Sequence, residues 1–196
     1  MATRSALGEF RHACRIGDLY TVRRLFEGGR VTVDDARSKQ GRAFRFAYRN
    51  SNLHVMRYLV DKLGIDIDDA RYNDNEMFRR VCRDGFLDIA CYLFRGVGLT
   101  TSDARSNRNQ ALYWACRNGH LGIVRFLIEV VGLNISDARS QNNRALEWAS
   151  KNGHLEVIQY LVCHLGIARN TFATNSTYIL SLLGTINRDS YWIDKD

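Results

Sequence analysis

The chain has 196 residues and carries 28 Lys and Arg against 21 Asp and Glu, a formal net charge of +7. A hydrophobic content of 45% is typical of folded proteins and argues against disorder. No apolar stretch approaches the roughly 18 residues that span a bilayer, and the first residues lack the apolar core of a signal peptide. We therefore expect an intracellular, cytoplasmic protein that does not insert into a membrane.

The tripeptide Asp-Ala-Arg occurs four times, always 34 residues apart, beginning at Asp35, Asp69, Asp103 and Asp137. A fixed period between 20 and 50 residues indicates stacked units that contact only their neighbours. A conventional active site is therefore not the first expectation.

Each unit reads as helix, turn, helix and loop. In the unit that begins at Ser106, the apolar residues fall in two short runs, 112–116 and 121–128. Such short helices must stack on neighbouring units to bury their apolar faces. The apolar positions recur at the same period, with Phe10, Phe44, Phe78, Leu112 and Leu146 in one column, and Leu25, Leu59, Leu93, Leu127 and Leu161 in another.

Two glycine columns separate these elements. Gly17, Gly85, Gly119 and Gly153 lie between the two helices of a unit, where glycine supplies the left-handed residue of the turn. Gly64, Gly98, Gly132 and Gly166 follow the second helix. Apolar residues then alternate, as in Leu133 and Ile135, which predicts a short hairpin-like loop.

The sequence predicts one domain over residues 1–196. Its units are a capping repeat at about 2–33, repeats at about 35–68, 69–102, 103–136 and 137–170, and a half-repeat cap with a tail at about 171–196. Atypical first and last units are expected because terminal repeats close the stack.

The unit resembles the ankyrin repeat, whose core reads L-H-x-A-A-x-x-G-H-L-E-V-V-K-L-L-L and continues with G-A-D-V-N. This chain has Leu146-Glu-Trp-Ala-Ser-Lys-Asn-Gly-His-Leu-Glu-Val-Ile-Gln-Tyr-Leu-Val. Tetratricopeptide repeats share the period, but they have longer helices and no extended loop. The resemblance implies an all-α ankyrin-type solenoid with helix-turn-helix units, short hairpin loops and a 34-residue period.

The chain departs from the family in three ways. The histidine of the family's T-P-L-H is replaced by Arg11, Arg45, Arg79, Tyr113 or Glu147. The family's Thr-Pro is missing, since the chain has no proline, and one extra residue precedes the second glycine. This proline-poor, asparagine-using style is similar to ankyrin repeats of large DNA viruses of amoebae and of some protists. That finer resemblance would place the protein in the host cytoplasm.

Basic residues recur at the end of each first helix, at Arg15, Arg49, Arg83, Arg117 and Lys151. In the ankyrin fold this position faces the concave groove, so the resemblance implies a basic face that binds an acidic protein surface. A cation there also stabilises a helix C-terminus by ~0.3–1 kcal/mol, and both interpretations stay open. The arginines of the tripeptide form a second column, either a ladder of Asp–Arg pairs, within one tripeptide or between adjacent loops, or a set of partner contacts.

Variable polar residues on the loops and first helices of ankyrin proteins contact partners. By alignment, the candidate partner-binding residues are Arg49, Tyr72, Asn73, Arg83, Asn107, Arg117, Gln141 and Lys151. Tyr72 is the only aromatic residue at a loop tip and is a candidate hot spot.

We predict no catalytic, cofactor-binding or metal site. The glycines form no phosphate-binding motif, and no Cys and His spacing fits zinc. His120 and His154 follow the turn glycine, where hydrogen bonding at the helix start is favoured over a metal pair or a catalytic base. Two other functions remain open. One is nucleic-acid or polyanion binding, which a lack of interleaved aromatic residues disfavours. The other is a structural subunit of a larger cellular or viral assembly.

Overall fold

The computed structural model describes residues 4–50, 52–64 and 67–167, which form a stack of helical units with no β-strand among them. The helices are α1 (Arg4–Ile16), α2 (Leu19–Glu27), α3 (Val33–Arg49), α4 (Leu53–Leu63), α5 (Ile67–Asp84), α6 (Leu87–Cys91), α7 (Thr101–Ala104), α8 (Ser106–Arg117), α9 (Leu121–Arg125), α10 (Ile135–Ala138), α11 (Ser140–Lys151) and α12 (Leu155–Gln159). Three π-helical turns continue α6, α9 and α12, namely π1 (Tyr92–Gly96), π2 (Phe126–Val130) and π3 (Tyr160–His164). The predicted C-terminal half-repeat and tail lie outside the described residues.

The first helices of successive units pack against one another, α1 on α3, α3 on α5, α5 on α8 and α8 on α11. The predicted apolar columns form the core of this stack. The column from Phe10 to Leu146 is at most 3% exposed, and the column from Leu25 to Leu161 is at most 1% exposed. An all-α solenoid is therefore the observed architecture, as the sequence predicts.

The Asp and Ala of the tripeptide lie in helices, for example at the end of the short helices α7 and α10. The prediction of a hairpin-like loop at this place is therefore wrong. At α7, the backbone N–H of Asp103 donates to Oγ1 of Thr100, and the carboxylate of Asp103 accepts from the backbone N–H of Thr100 at 2.8 Å. Asn134 and Asp137 form the same reciprocal cap at α10. A capping box satisfies two backbone donors at once, so it starts a helix where an extended loop would leave them open.

Each described arginine of the tripeptide, except the last, binds the aspartate of the next unit. The pairs are Arg37 with Asp69, Arg71 with Asp103, and Arg105 with Asp137, at N–O distances of 2.8–3.0 Å. The predicted ladder is confirmed, and its partners lie in adjacent units rather than within one tripeptide. The alanine between them is at most 1% exposed in all four copies.

Asp103 and Asp137 thus each accept hydrogen bonds from their own unit and from the arginine of the preceding unit. Burial raises the pKa of each carboxyl, but hydrogen bonds from the preceding unit's arginine and from its own capping residue outweigh that effect. The pKa of both therefore lies below the usual range for aspartate, which means that folding favours the charged form.

A second link joins the turn of one unit to the first helix of the unit before it. The Nε2–H of His120 donates to the carbonyl of Arg83 at 2.9 Å, and His154 donates to the carbonyl of Arg117 at 2.9 Å. The asparagine two residues before each histidine donates to the same carbonyl at 2.7 Å. The histidines are structural, as predicted, but they do not cap their own helices. They satisfy carbonyls at the C-terminal end of the previous first helix.

The turn glycines are required both for their backbone conformation and for their small size. Gly119 has φ +75 and Gly153 has φ +73, as predicted for a left-handed turn residue. A Cβ on Gly119 would lie 2.5 Å from Nδ1 of His154. At Gly153, no described atom lies within 4 Å of such a Cβ.

The two glycines make a matched pair for mutation. We expect Gly119→Ala and Gly153→Ala each to lose about 1–2 kcal/mol of stability from the left-handed φ. Gly119→Ala should lose about 1 kcal/mol more, because the new methyl group displaces His154 from the carbonyl of Arg117. Urea unfolding followed by far-ultraviolet circular dichroism measures both losses. Equal losses would show that the histidine link contributes nothing.

The ladder is tested by Asp137→Asn, which keeps the shape of the side chain and removes its charge. We expect a loss of about 1–3 kcal/mol, because the pair with Arg105 and the charged cap of α10 are both weakened. The control is Asp34→Asn in the first turn of α3, where the aspartate is exposed and the change should stay below about 0.5 kcal/mol. Urea unfolding of both variants gives the comparison, and similar losses would contradict a stabilising ladder.

Candidate protein-interaction surface

Three units carry a tip of consecutive left-handed residues, at 73–75, 107–109 and 141–143, each within the first helix of its unit. The φ angles of these nine residues lie between +51° and +61°. This conformation costs roughly 1–2 kcal/mol for most L-residues, and asparagine, which supplies most of the positions, tolerates it best after glycine. Strained backbone clusters at functional sites, so the recurring strain makes the tips candidates for a binding surface.

Hydrogen bonds hold the tips in place. Ser106 Oγ donates to the carbonyl of Asp74 at 3.1 Å, and Gln141 Nε2 donates to the carbonyl of Arg108 at 2.8 Å. Each of these bonds joins one tip to the unit that follows it. The backbone of these two tips is therefore held in place before any partner arrives, which lowers the entropy lost on binding.

Two candidate residues, Arg49 and Asn73, meet at a buried carboxylate that the sequence analysis did not single out. Arg49 binds Glu76 through two N–O contacts of 3.0 and 2.6 Å, and Asn73 Nδ2 donates to Glu76 at 2.9 Å. Glu76 is 7% exposed and also accepts from Arg80. Burial raises the pKa of Glu76, but these three donors outweigh it and lower the pKa to about 2. Arg49 is thus paired within the fold, at a carboxylate that it shares with Arg80.

The other basic candidates also have partners. Arg83 binds Asp84 through N–O contacts of 2.7 and 3.0 Å, and Lys151 Nζ lies 2.6 Å from Glu147. With Arg49, three of the cations in the first-helix column are paired with carboxylates. The column is therefore less basic than the sequence alone indicates.

Tyr72, Asn107 and Gln141 are exposed at or beside their tips. The guanidinium of Arg45 lies 4.4 Å from the centroid of the Tyr72 ring, so this ring is held by a cation–π contact. Its role as a hot spot stays a prediction, as does partner contact by Asn107 and Gln141.

Arg117 differs from Arg49, Arg83 and Lys151, which are paired with carboxylates. Its guanidinium carbon lies 4.8 Å from the ring centroid of Trp114 and 4.2 Å from that of Trp148, and its Nη1 donates to the hydroxyl of Tyr113 at 3.2 Å. We call these four residues the Arg117 cluster. Among the described residues, no carboxylate pairs with this guanidinium.

The Arg117 cluster corrects two sequence-based interpretations. Trp114 was assigned to the apolar core of its unit, but both tryptophans are only half-buried. Aromatic residues interleaved with cations were also thought to be missing, and here they are present. The described residues contain no group of His, Cys, Asp and Glu side chains that could hold a metal ion. No helix in the described ranges is long and apolar enough to cross a membrane.

The pair at Glu76 should make stability depend on pH. Because the folded-state pKa of about 2 lies below the usual 4.5, the charged form stabilises the fold above the usual pKa. That contribution is lost as the pH falls from about 4.5 towards 2. We expect Glu76→Gln to lose about 1–3 kcal/mol at neutral pH, and the difference from wild type to shrink over this window.

Urea unfolding at a series of pH values measures this difference. Glu156→Gln, at an exposed residue in the first turn of α12, is the control and should change little at any pH. A constant difference between wild type and Glu76→Gln down to pH 2 would contradict the assignment.

Comparison with known proteins agrees with this geometry. Residues 78–172 match the family model of ankyrin repeats, in three copies. The search of curated proteins finds no match to the chain, and nothing in the comparisons supports the finer resemblance to repeats of large DNA viruses. The matched region includes the histidine links, two of the three tips and the Arg117 cluster. Residues 78–172 are therefore ankyrin repeats, and the described residues form an all-α solenoid of ankyrin type.

Proposed function

We propose that the chain is a non-catalytic scaffold that binds a protein partner through its tips and first-helix ends. In the ankyrin fold these positions face the concave groove, and ankyrin repeats are generally modules for protein–protein interaction. The observation that carries the proposal is the set of three left-handed tips, which present fixed polar groups at the same place in successive units.

The charge of this surface favours an acidic partner. The chain has a formal net charge of +7, and Arg108, Arg139 and Arg144 are exposed within or close in sequence to the second and third tips. Complementary charge mainly increases the rate and the specificity of association. Arg49 and Arg83, which are paired within the fold, then serve more to shape the surface than to attract the partner.

A pair of charge-reversed variants tests the proposal. The first carries Arg108→Glu and Arg144→Glu on the proposed surface, and the second carries Arg30→Glu and Arg95→Glu at exposed positions outside it. Both variants change the net charge equally, so a general charge effect cancels. Each is used, beside wild type, to co-purify proteins from the source cells for quantitative mass spectrometry.

We expect a partner whose recovery falls about tenfold or more with the first variant and stays within about twofold with the second. Unfolding midpoints establish that both variants are folded. Equal recovery of every captured protein by the two variants would place binding elsewhere on the molecule and contradict the proposal.

A further inference from the structure

We infer that Arg117, held by Trp114 and Trp148, is the carboxylate-binding centre of this surface and takes an aspartate or glutamate side chain of the partner. The inference rests on the proposed function and names the chemistry of its central contact. It begins from the difference between Arg117 and the equivalent cations of other units.

The carboxylates that neutralise the column are replaced in the units around Arg117. Arg49 binds Glu76, which lies 27 residues further along, and the residue 27 positions after Arg117 is Arg144. Arg83 binds the adjacent Asp84, and the residue after Arg117 is Asn118. Lys151 binds Glu147, four residues earlier, and the residue four before Arg117 is Tyr113. None of the three places therefore holds a carboxylate beside Arg117.

Two guanidinium groups consequently meet at one tyrosine. Arg117 Nη1 donates to the hydroxyl of Tyr113, while the guanidinium carbon of Arg144 lies 4.7 Å from the centroid of the same ring. Arg144 also donates to the Oε1 of Gln141 at 2.9 Å, which fixes its position. Two like charges held this close repel each other, and an anion that approaches both relieves the repulsion.

The aromatic contacts orient Arg117 without using its donors. A guanidinium that stacks on an aromatic ring presents its faces to the ring and keeps its N–H groups at its edge. Of those N–H groups, one binds Tyr113. The others form a planar fork that matches a carboxylate, and charge-assisted bidentate pairs of this kind are among the strongest hydrogen bonds in proteins.

The same contacts favour an acidic protein segment over a nucleic acid. Single-stranded nucleic acids are held largely by bases that stack on open aromatic faces. The ring of Trp148 already contacts Arg117, and the Nζ of Lys151 lies 5.1 Å from its centroid. The ring of Trp114 packs against Tyr113, with centroids 5.0 Å apart. The rings therefore offer little open surface to a base, and the free groups of the cluster are hydrogen-bond donors.

The test uses the whole chain, labelled with nitrogen-15, and a fluorescent oligoglutamate peptide. Arg117→Lys keeps the charge but lacks the planar fork, and Arg95→Lys on π1 is the control. We expect Arg117→Lys to bind the peptide at least about tenfold more weakly in fluorescence anisotropy, and Arg95→Lys to stay within about twofold of wild type.

A second measurement does not depend on how well the variants fold. The Nε–H signal of Arg117, assigned as the arginine signal missing in Arg117→Lys, should shift in the wild-type spectrum when the peptide is added. No shift of this signal, or equal affinities of the two lysine variants, would overturn the inference.

An oligouridylate of matched charge decides between the two classes of partner. If Arg117→Lys weakens oligouridylate binding more than peptide binding, the cluster recognises nucleic acid and the inference is wrong.

Failure of this inference is distinct from failure of the proposed function. A native partner that is lost with Arg108→Glu and Arg144→Glu but kept with Arg117→Lys would leave the scaffold proposal standing and remove Arg117 from its centre.

Discussion

The pairing of one unit's arginine with the next unit's aspartate is the interaction on which the register of the stack depends. Asp137 accepts hydrogen bonds from its own helix start, at Asn134, and from Arg105 of the unit before it. The same carboxylate therefore couples a local event, the start of α10, to a contact between units. In a solenoid, stability is roughly the sum of such unit and interface contributions, so an acidic residue that serves both makes folding of one unit favour the next. The buried alanine between Asp and Arg leaves room for the two units to approach.

Once the register is fixed, the neighbours of every column are fixed too, and these neighbours decide which cations stay available. Arg49 and Arg117 occupy equivalent positions, but one faces a buried glutamate and the other faces Arg144 at the corresponding place. The charge of a repeat surface therefore depends both on the column of basic residues and on the column that holds, or lacks, their carboxylate partners. A positive residue recurs in every unit, but only the presence or absence of a matching carboxylate decides whether it is paired within the fold.

The period and the apolar columns were sufficient to predict the solenoid and its core, because stacking leaves few other ways to bury short amphipathic helices. The one-turn helix at Asp103 was readable as well, since Thr100 and Asp103 have the spacing of a capping box, but the alternating apolar residues before it favoured a hairpin. The left-handed tips could not be predicted, because a polar run contains no periodic signal. Trp114 was misassigned because periodicity locates an apolar face without locating its edge, and Glu76 was missed because its partner lies in another unit.

The places where the chain departs from local rules are the tips and the Arg117 cluster. The joints between units obey those rules, with capped helix starts, paired charges and glycine wherever a histidine ring approaches closely. The tips hold consecutive non-glycine residues at positive φ, and Arg117 and Arg144 approach one tyrosine without a carboxylate between them. Strained backbone and unpaired charge each tend to lower the stability of the isolated chain, and under the proposed function a partner would supply the hydrogen-bond acceptors and the negative charge that these places lack. Because the joints have their own stabilising contacts, in the capped helix starts and the Arg–Asp pairs, the stack can hold this strain on the proposed binding surface.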